Sequence, residues 1–596
     1  MCGLAAILAH GAAAPPVDVA ELLAIREAMR PRGPDGEGLW VAPDGRVGLA
    51  HRRLAIIDLS PAGLQPFWSA DGRLAVSYNG EIYNWRELRR ALEQQGHAFR
   101  TQCDTEVILA LYAAEGAEGL RRLRGMYALA LWDGERRGLL LARDPLGIKP
   151  LYYADDGRTL RVASQVKALL AGGRVDTAPD PAGHAGFFLW GHVPEPTTLY
   201  AAIRSLPPGG LRWQGLDGRR WERTASPLPD LLAAPPAPPL APAERARRVR
   251  DLVGQSLRAH LEADVPVSLF LSAGRDSACL ASLLGPAAAS TRAITLGVDS
   301  FRGGPLDEVP LAAETARACG LAHEVRWVGQ ADMLAARDQL LAAMDQPSTD
   351  GVNVFFIARV AAAAGHRVAL SGLGADELFG GYPGFVDVPR LAALPRMPGL
   401  GRALRRLAQP LLPRRLSPKW AGLLEYGGSY PGAYLLRRAL FMPWELPRLL
   451  GREVARAGLA ALASEATLAA SLAGLPTPRQ RVTALESGHY MVARLLRDAD
   501  WAGMAHGLEI RTPFADAALY RDLAPLLAGA APPGKNDLVA SDPRLPPAVA
   551  ARRKTGFVVP VDRWIAAEGV AERGLRGWAR VVYRAAAGPG SLLREA

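Results

Sequence analysis

A proline-rich segment at residues 225–243 divides this chain of 596 residues into two unequal parts. Seven of its 19 residues are proline, and most of the others are alanine or leucine. Such a composition removes backbone donors and favours an extended, semi-rigid spacer. Because 596 residues exceed what one hydrophobic core usually organises, we place a domain boundary here. The predicted domains are residues 1–224 and 244–596, joined by a linker at 225–243.

The bulk composition is typical of a globular protein without a membrane segment. Hydrophobic residues make up 49% of the chain, yet no uninterrupted apolar stretch reaches the roughly 18 residues that cross a bilayer. The net charge of +11 is spread along the chain, so we expect neither a nucleic-acid nor a membrane partner. The four cysteines, at positions 2, 103, 279 and 319, show no paired spacing. They predict neither disulfides nor a zinc site and favour a reducing cytoplasm.

The N-terminal part combines short apolar strands with two helical patterns. Its predicted elements are strands near Val47–Ala50, Leu74–Tyr78, Tyr127–Trp132 and Gly138–Ala142, and helices at Trp85–Gln94 and Thr105–Ala114. This order predicts an α+β domain in which helices pack on antiparallel sheets.

The cysteine at position 2 becomes an N-terminal nucleophile if Met1 is removed. One residue would then hold both a thiol and an α-amino group, whose pKa near ~8 allows it to accept the thiol proton. The apolar run Gly3–Leu8 places this thiol at the mouth of a buried strand. That run lacks the charged start and the length of a secretion signal. A cysteine after Met1 can also be incidental, so Cys2 alone does not establish the chemistry.

Polar residues that a packed sandwich does not need follow the strand at 74–78. Asn79 offers a side-chain amide and Gly80 an unobstructed backbone N–H, which together can stabilise the oxyanion formed when a thiolate attacks an amide. Arg53 can bind a carboxylate through two parallel hydrogen bonds, while Glu81 and Asp104 can bind an ammonium group. The alternative is that Asn-Gly forms only a turn here.

The C-terminal part begins with alternating strands and helices. An apolar run at 265–271 ends in the small residues 272–274, and a second run at 367–370 ends in 371–374. Apolar strands that alternate with helices predict a parallel α/β sheet, with ligands at the carboxyl ends of its strands. Beyond about Pro383 the chain is predicted to be mostly helical.

These pieces, taken together, resemble the class II (N-terminal-nucleophile) glutamine amidotransferases, and among them the asparagine synthetases. The matching segments of the N-terminal part are Met1–Gly3, Arg32–Gly36, His51–Asp58, Asn79–Asn84, Asp104–Glu106 and Arg143–Pro150. The resemblance implies an αββα glutaminase sandwich that releases ammonia, with Cys2, Asn79 and Gly80 in catalysis. It also implies the glutamine-binding residues Arg53, Asn79, Glu81 and Asp104.

The C-terminal part resembles the ATP-pyrophosphatase-type domain of the same family. Ser272–Ser277 is similar to the loop of enzymes that split ATP between the α and β phosphates, with Ala273 in place of the first glycine. Ser371–Tyr382 is similar to the second ATP-site segment. The resemblance implies the ATP-binding residues Leu271, Ser272, Gly274, Asp276, Ser277, Leu296, Ser371 and Gly372. It also implies that Asp276 and Asp376 share Mg²⁺ bound to pyrophosphate, the alternative being that both are helix caps.

Two further segments match the family, at 503–516 and 553–557. The second contains Lys554, one of only five lysines in a chain that otherwise uses arginine. A retained lysine suggests a role for its compact ammonium group, which a guanidinium does not replace. By resemblance, Lys554 stabilises charge on the phosphates and on the tetrahedral intermediate. The alternative is an exposed surface lysine.

Leu373 departs from the family pattern. Asparagine synthetases generally carry glutamate at this position, between Gly372 and Gly374, and the resemblance implies that this acid handles the acyl-adenylate. An apolar side chain cannot pair an ammonium group, orient water or move a proton. Leu373 therefore leaves the identity of the amidated acid open.

The prediction for the whole chain is a glutamine-dependent, ATP-consuming amide ligase. The resemblance implies that aspartate, glutamine and ATP are converted through an acyl-adenylate to asparagine, glutamate, AMP and pyrophosphate. Two alternatives remain open, namely amidation of a different carboxylate and a glutaminase whose ATP-binding half is not catalytic. The resemblance also implies a homodimer.

If Cys2 acts through its own α-amine, the mature protein lacks Met1. We expect intact-mass spectrometry of the purified protein to find a chain shorter by one methionine, because a retained Met1 would block that amine. A preparation that keeps Met1 throughout and still hydrolyses glutamine would contradict this role of the amine.

Overall fold

In the computed structural model, the described residues are 2–11, 13–224, 226–408, 418–540, 542–552 and 574–594. Within these ranges, two six-stranded sheets lie in the N-terminal half and one five-stranded sheet lies in the C-terminal half.

Both sheets of the N-terminal half are antiparallel. Their strands are β1 Gly3–Ala9, β2 Gly36–Val41, β3 Val47–Arg53, β4 Phe67–Trp68, β5 Leu74–Ile82, β6 Gly125–Asp133, β7 Gly138–Arg143, β8 Tyr152–Asp155, β9 Thr159–Ala163, β10 Ile203–Ser205, β11 Leu211–Gly215 and β12 Arg220–Arg223. The strand orders are β10-β8-β9-β1-β3-β2 and β12-β11-β7-β6-β5-β4. The predicted antiparallel layout is confirmed.

β1 is apolar on both faces because both faces are buried. Leu4, Ala6 and Leu8 pack in the core between the two sheets. Ala5 and Ile7 alternate with them and pack on the other side, under helices. The continuous apolar run after Cys2 is therefore a central strand of the first sheet.

Helices cover the outer face of each sheet and complete four layers. Val19–Ala28 and Val166–Ala171 cover the first sheet, while Trp85–Gln94 and Asp104–Gly119 cover the second. The predicted αββα sandwich is confirmed. The helix at 85–94 has the predicted bounds, whereas the helix that was predicted from Thr105 is longer at both ends.

The proline-rich spacer is not extended throughout, in contrast to the prediction from its composition. A short helix at Leu228–Leu232 buries its leucines against the helix Ala517–Ala528. The N–H of Ala237 donates to Pro525 O at 2.9 Å. The leucines between the prolines dock this segment on the C-terminal half, because burying each one contributes about 1.5–3 kcal/mol.

The sheet of the C-terminal half is parallel throughout. Its strands are β13 Val267–Phe270, β14 Arg292–Val298, β15 Ala322–Val328, β16 Val368–Leu370 and β17 Glu509–Arg511. They are ordered β15-β14-β13-β16-β17. The order reverses between β13 and β16, so the loops after these two strands diverge and leave a crevice at the carboxyl edge. The predicted α/β sheet is confirmed.

Helices make up most of the remaining C-terminal half. Those that precede residue 383 are Pro242–His260, Arg275–Leu283, Val309–Ala318, Gln330–Ala335, Arg337–Ala343, Val352–Ala363 and Ala375–Phe379. Those that follow it are Gly384–Ala392, Pro398–Ala408, Leu423–Tyr426, Tyr430–Arg438, Leu446–Leu450, Arg452–Leu462, Ser464–Ala470, Pro478–Leu485, the π-helical stretch Glu486–Leu496, Arg497–Met504, Ala517–Ala528, Pro547–Ala551 and Gly574–Ala587. No helix in the part of the chain that the structure describes is long and apolar enough to cross a bilayer.

A close helix pair joins the two halves. The helix Pro181–Trp190 lies against the helix Arg452–Leu462. Gly458 lies where the two backbones approach each other, since a Cβ there would stand 2.2 Å from Pro181 O. The absence of a side chain at Gly458 therefore sets the distance between the halves at this contact.

Replacing Gly458 with alanine should weaken this contact. We expect Gly458→Ala to lower the free energy of unfolding by about 1–3 kcal/mol, because the added methyl group has no room. Gly399→Ala is the matched control, since its new Cβ has nothing within 4 Å and Gly399 is exposed in the helix Pro398–Ala408. That control should be neutral or stabilise by up to about 1 kcal/mol. Equal effects of both variants in denaturant unfolding would contradict the close approach.

Candidate active sites

Cys2 lies directly before β1 and beside β5. It is only 7% exposed. Its N–H donates to Asn79 Oδ1 at 2.9 Å, and its Sγ lies 3.9 Å from Leu54 O. Burial raises the pKa of the Cys2 thiol above its usual value. The reactive thiolate therefore needs a base to form, which is the role predicted for the α-amine.

Asn79 presents a free donor next to this thiol. Its Nδ2 is buried and has no hydrogen-bond partner among the described residues. A buried donor without a partner is costly unless a ligand satisfies it. Gly80 follows on β5, where a Cβ would stand 2.0 Å from Met126 O, so the site requires glycine. The structure thus brings Cys2, Asn79 and Gly80 together at one end of β1.

Arg53 is oriented by the backbone of the loop that follows it. Nη1 donates to Ser60 O at 2.8 Å, and Nη2 donates to Ile57 O at 3.4 Å and to Asp58 O. A guanidinium has five N–H donors, so Arg53 keeps donors for a substrate carboxylate.

Glu81 and Asp104 are buried carboxylates that both lie at the carboxyl end of β5. Asp104 accepts hydrogen bonds from Tyr78 Oη and from the N–H of Ile82, both at 3.0 Å. Glu81 Oε2 lies 3.6 Å from Arg511 Nη2 of the C-terminal half. Burial raises the pKa of both carboxyl groups. An ammonium group placed beside them would favour their ionised forms.

The carboxyl edge of the parallel sheet opens into a cavity of about 910 Å³. All eight predicted ATP-binding residues line it: Leu271, Ser272, Gly274, Asp276, Ser277, Leu296, Ser371 and Gly372. A hydrogen bond joins the two ends of the first loop, residues 272–277, because Ser277 Oγ accepts the N–H of Ser272 at 3.1 Å. Ala273, which departs from the family pattern, is fully buried and does not line the cavity. Its methyl group therefore does not occupy the phosphate space.

Asp276 and Asp376 converge on the ammonium group of Lys535. Nζ lies 2.7 Å from Asp376 Oδ1 and also contacts Asp276 Oδ1. Each aspartate lies in the first turn of a helix whose N-cap residue is a glycine, Gly274 or Gly374, so neither aspartate is the cap. Two carboxylates that share one cation offer the oxygen ligands that Mg²⁺ prefers, with phosphate oxygens completing its shell. The pair fits that ion, although the described residues contain no cluster of three metal-ligating side chains.

Lys554 lies outside the described residues, so its predicted role stays a prediction. Lys535, which contacts both aspartates, was not predicted from the sequence. The rarity of lysine was a signal that applied to it as much as to Lys554. Leu373, which belongs to the second of the two loops, lines the cavity.

Arg32 links the backbone of Cys2 to the C-terminal half. Its Nε donates to Cys2 O at 3.0 Å. Its Nη1 and Nη2 donate to the two carboxylate oxygens of Asp500, at 2.7 and 3.1 Å. Both side chains are buried, and such a bidentate pair is strong and directional. The conformation at the thiol therefore depends on a helix that begins at residue 497.

A second charged contact joins the two centres through β17. Arg511 Nε donates to Glu509 Oε1 at 2.6 Å, and both side chains are fully buried. Arg511 O accepts the N–H of Ser371, the first residue of the second phosphate loop, at 2.8 Å. Since Arg511 also faces Glu81, one residue contacts both a predicted glutamine ligand and a predicted ATP-binding loop.

Comparisons with known proteins agree with this arrangement. Residues 1–222 match the family model described as a glutamine amidotransferase domain, and residues 248–580 match the one described as asparagine synthase. A Bacillus subtilis protein named glutamine-hydrolysing asparagine synthetase 1 is 30% identical, over 95% of this chain and 88% of that protein. Asparagine synthetase B of Escherichia coli is 32% identical over 62% of this chain and 63% of that protein. A Mycobacterium tuberculosis protein with a provisional asparagine synthetase name is 34% identical, over 95% and 89% of the two chains.

An N-terminal-nucleophile amidotransferase domain joined to an ATP-using ligase domain defines the class of this protein. The match to the asparagine synthase model covers more than half of the chain. The chain belongs to the asparagine synthase family.

Asp500→Asn should leave the buried Arg32 guanidinium without its counter-charge. We expect the free energy of unfolding to fall by roughly 3–5 kcal/mol, and glutamine hydrolysis to slow because Arg32 also orients Cys2. Glu465→Gln is the control, since it removes the partner of an exposed arginine, Arg396, and should cost about 1 kcal/mol or less. Similar losses for the two variants in denaturant unfolding would contradict the importance of the buried pair.

Proposed function

We propose that this protein is a glutamine-dependent asparagine synthetase, which couples glutamine hydrolysis to the ATP-dependent amidation of aspartate. One observation carries this proposal. A buried thiol beside a free amide donor and a phosphate-binding cavity occur in one polypeptide, where Arg32 connects the thiol residue to the cavity-bearing half.

The first reaction releases ammonia from glutamine. The α-amine of Cys2 takes the thiol proton, and Sγ attacks the side-chain amide carbon. Asn79 Nδ2 and the N–H of Gly80 donate to the oxyanion that forms, which is supported by the free, buried state of that Nδ2. The protonated α-amine gives its proton to the leaving nitrogen, so that ammonia departs and a thioester remains. Water then hydrolyses the thioester to glutamate and restores the Cys2 thiol. Arg53 binds the glutamine carboxylate, while Glu81 and Asp104 bind its ammonium group.

The second reaction activates a carboxylate. The phosphates of ATP lie against the loops 272–277 and 371–374, and an oxygen of the aspartate β-carboxylate attacks the α-phosphorus, so that pyrophosphate leaves. Lys535 balances phosphate charge from its position between Asp276 and Asp376. Mg²⁺ held by these two aspartates would neutralise charge on the departing pyrophosphate.

The third reaction joins the two products. Ammonia attacks the acyl carbon of the adenylate and AMP leaves, which gives the amide. Ammonia that escapes into water becomes ammonium, which is not a nucleophile, so the transfer needs a route that excludes water. The burial of Arg32, Asp500, Glu509 and Arg511 between the two centres supports such a closed interface.

We further propose a cytoplasmic enzyme. All four cysteines are buried and unpaired, which suits a reducing compartment. The homodimer that the resemblance implies stays a prediction.

A second candidate keeps this chemistry and changes the acid that is amidated. It is favoured by Leu373, because an apolar side chain lines the cavity where the family generally has glutamate. Incubation with glutamine, ATP, Mg²⁺ and a panel of acids separates the two candidates through pyrophosphate release. A lack of aspartate-dependent pyrophosphate would exclude asparagine synthesis.

Cys2→Ala should separate the two centres. We expect glutamine-dependent amidation to fall to background, because the nucleophile is gone, while added ammonium salts support synthesis within about twofold of wild type. Product formation is measured by chromatography with each nitrogen donor. Cys319→Ala, a buried cysteine of the C-terminal half, is the control and should keep both activities. Loss of both activities in Cys2→Ala alone would contradict separate centres.

A further inference from the structure

One wall of the nucleotide cavity is acidic. Asp350 and Asp498 both line it. Ser348 Oγ holds them side by side, since it donates to Asp498 Oδ2 at 2.6 Å and accepts the N–H of Asp350 at 3.3 Å. Asp498 also accepts a hydrogen bond from Trp501 Nε1 at 2.8 Å. Each carboxylate has about four acceptor positions, so both keep capacity for a ligand.

The negative charge of this wall is only partly balanced. Arg494 Nη2 lies 3.4 Å from Asp350 Oδ2, and Asp498 is hydrogen-bonded to two neutral groups. The charges of Arg494 and Arg497 also act on Asp498, so two arginines face the three carboxylates Asp350, Asp498 and Glu377 of the cavity. Arg497, next in sequence to Asp498, donates to Val193 O at 2.8 Å. Burial, and then the charge of Asp350, raise the pKa of Asp498 to about 6. A cation placed between the two carboxylates would relieve their repulsion.

A third carboxylate of the cavity has an oxygen without a partner. Glu377 is completely buried, and its Oε1 accepts a hydrogen bond from Tyr382 Oη at 2.8 Å. Its Oε2 has no hydrogen-bond partner in the described part of the chain. Tyr490 lines the same cavity, and its ring centroid lies 5.9 Å from that of Tyr382 and 5.3 Å from the guanidinium of Arg494, which is the partner of Asp350. A buried acceptor without a partner points to a donor supplied by a ligand.

The loop that carries Asp350 is attached to the glutaminase half. Asp345 accepts the N–H groups of Val166 and Lys167 at 3.0 and 3.1 Å. The N–H of Thr349 donates to Gly191 O at 2.9 Å. The acidic wall is therefore on the side of the cavity that adjoins the source of ammonia. A substrate held there lies between ATP and that source, which is the placement that amide formation needs.

We propose that Asp350, Asp498 and Glu377 form the acceptor subsite, which binds the ammonium group of an amino dicarboxylic acid. The inference rests on the proposed function and adds the residues that select the acid. Leu373 and Ile357 line the same cavity and offer the carbon chain of the acid an apolar surface. The ammonium group then finds its counter-charge on the acidic wall, so an apolar residue at position 373 does not prevent the use of an amino acid.

The experiment compares two acids that differ only in the amine. Acid-dependent ATP–pyrophosphate exchange is measured for the full-length protein with L-aspartate and with succinate. We expect kcat/KM for succinate to be at least about 100-fold below that for L-aspartate, because the acidic wall would be left without its cation. Asp350→Asn and Asp498→Asn should each lower kcat/KM for L-aspartate by about 10- to 100-fold, mainly through KM, and leave the value for succinate unchanged.

Two readouts distinguish a subsite from a general loss of structure. The KM for ATP and the glutaminase activity should stay at wild-type values in both variants, and Asp387→Asn, an exposed acid paired with Arg437, should change nothing. Asp350 is half-exposed, so its variant tests the inference even if Asp498→Asn does not fold. Equal use of both acids by wild type, or equal losses with both acids in Asp350→Asn, would overturn the inference alone. Exchange with neither acid would overturn the proposed function as well.

Discussion

The buried pair of Arg32 and Asp500 is the contact on which the rest of the structure depends. Each charge lies on a different half of the chain, and neither can be hydrated where it lies. A shift of the halves by a few ångströms would leave both charges unpaired in a medium that solvates them poorly. The guanidinium of Arg32 can only donate hydrogen bonds, and its Nε donates to the carbonyl oxygen of Cys2. The contacts of Arg32 therefore fix both the position of the nucleophile and the docking of the two halves.

Charge also organises the nucleotide cavity. Asp276 and Asp376 share Lys535, so the phosphate side already contains a cation among its carboxylates. Asp350 and Asp498 lie together on the side that adjoins the glutaminase half, where the charges of Arg494 and Arg497 balance them in part. The cavity thus has one region where an ammonium group already lies between two carboxylates, and another where we propose that a cation binds. An aspartate that is activated at its β-carboxyl carries the acyl phosphate on that carbon and the ammonium group on the α-carbon, so the two groups can occupy separate regions of the cavity.

Local patterns predicted the elements well where the signal was periodic and short in range. The helix at 85–94 and the strand after Cys2 follow from their apolar spacing, and the two phosphate loops follow from small residues after apolar runs. The spacer was predicted wrongly at 228–232, because its prolines indicated extension while its leucines gained more by packing on another helix. Lys535 was missed because its function depends on two aspartates that are more than 150 residues away in sequence.

By itself, the sequence determined which chemistries are present, since a thiol at position 2, the Asn-Gly pair and the aspartates of two small-residue loops are local features. It also determined the class of each domain, because apolar periodicity is a property of neighbouring residues. Only the tertiary structure decided which distant residues meet: Cys2 with Arg32 and Asp500, Glu81 with Arg511, and Asp350 with Asp498. The physical reason is that burial makes charges pair across the packed interior, and the partner is chosen by the fold rather than by distance along the chain.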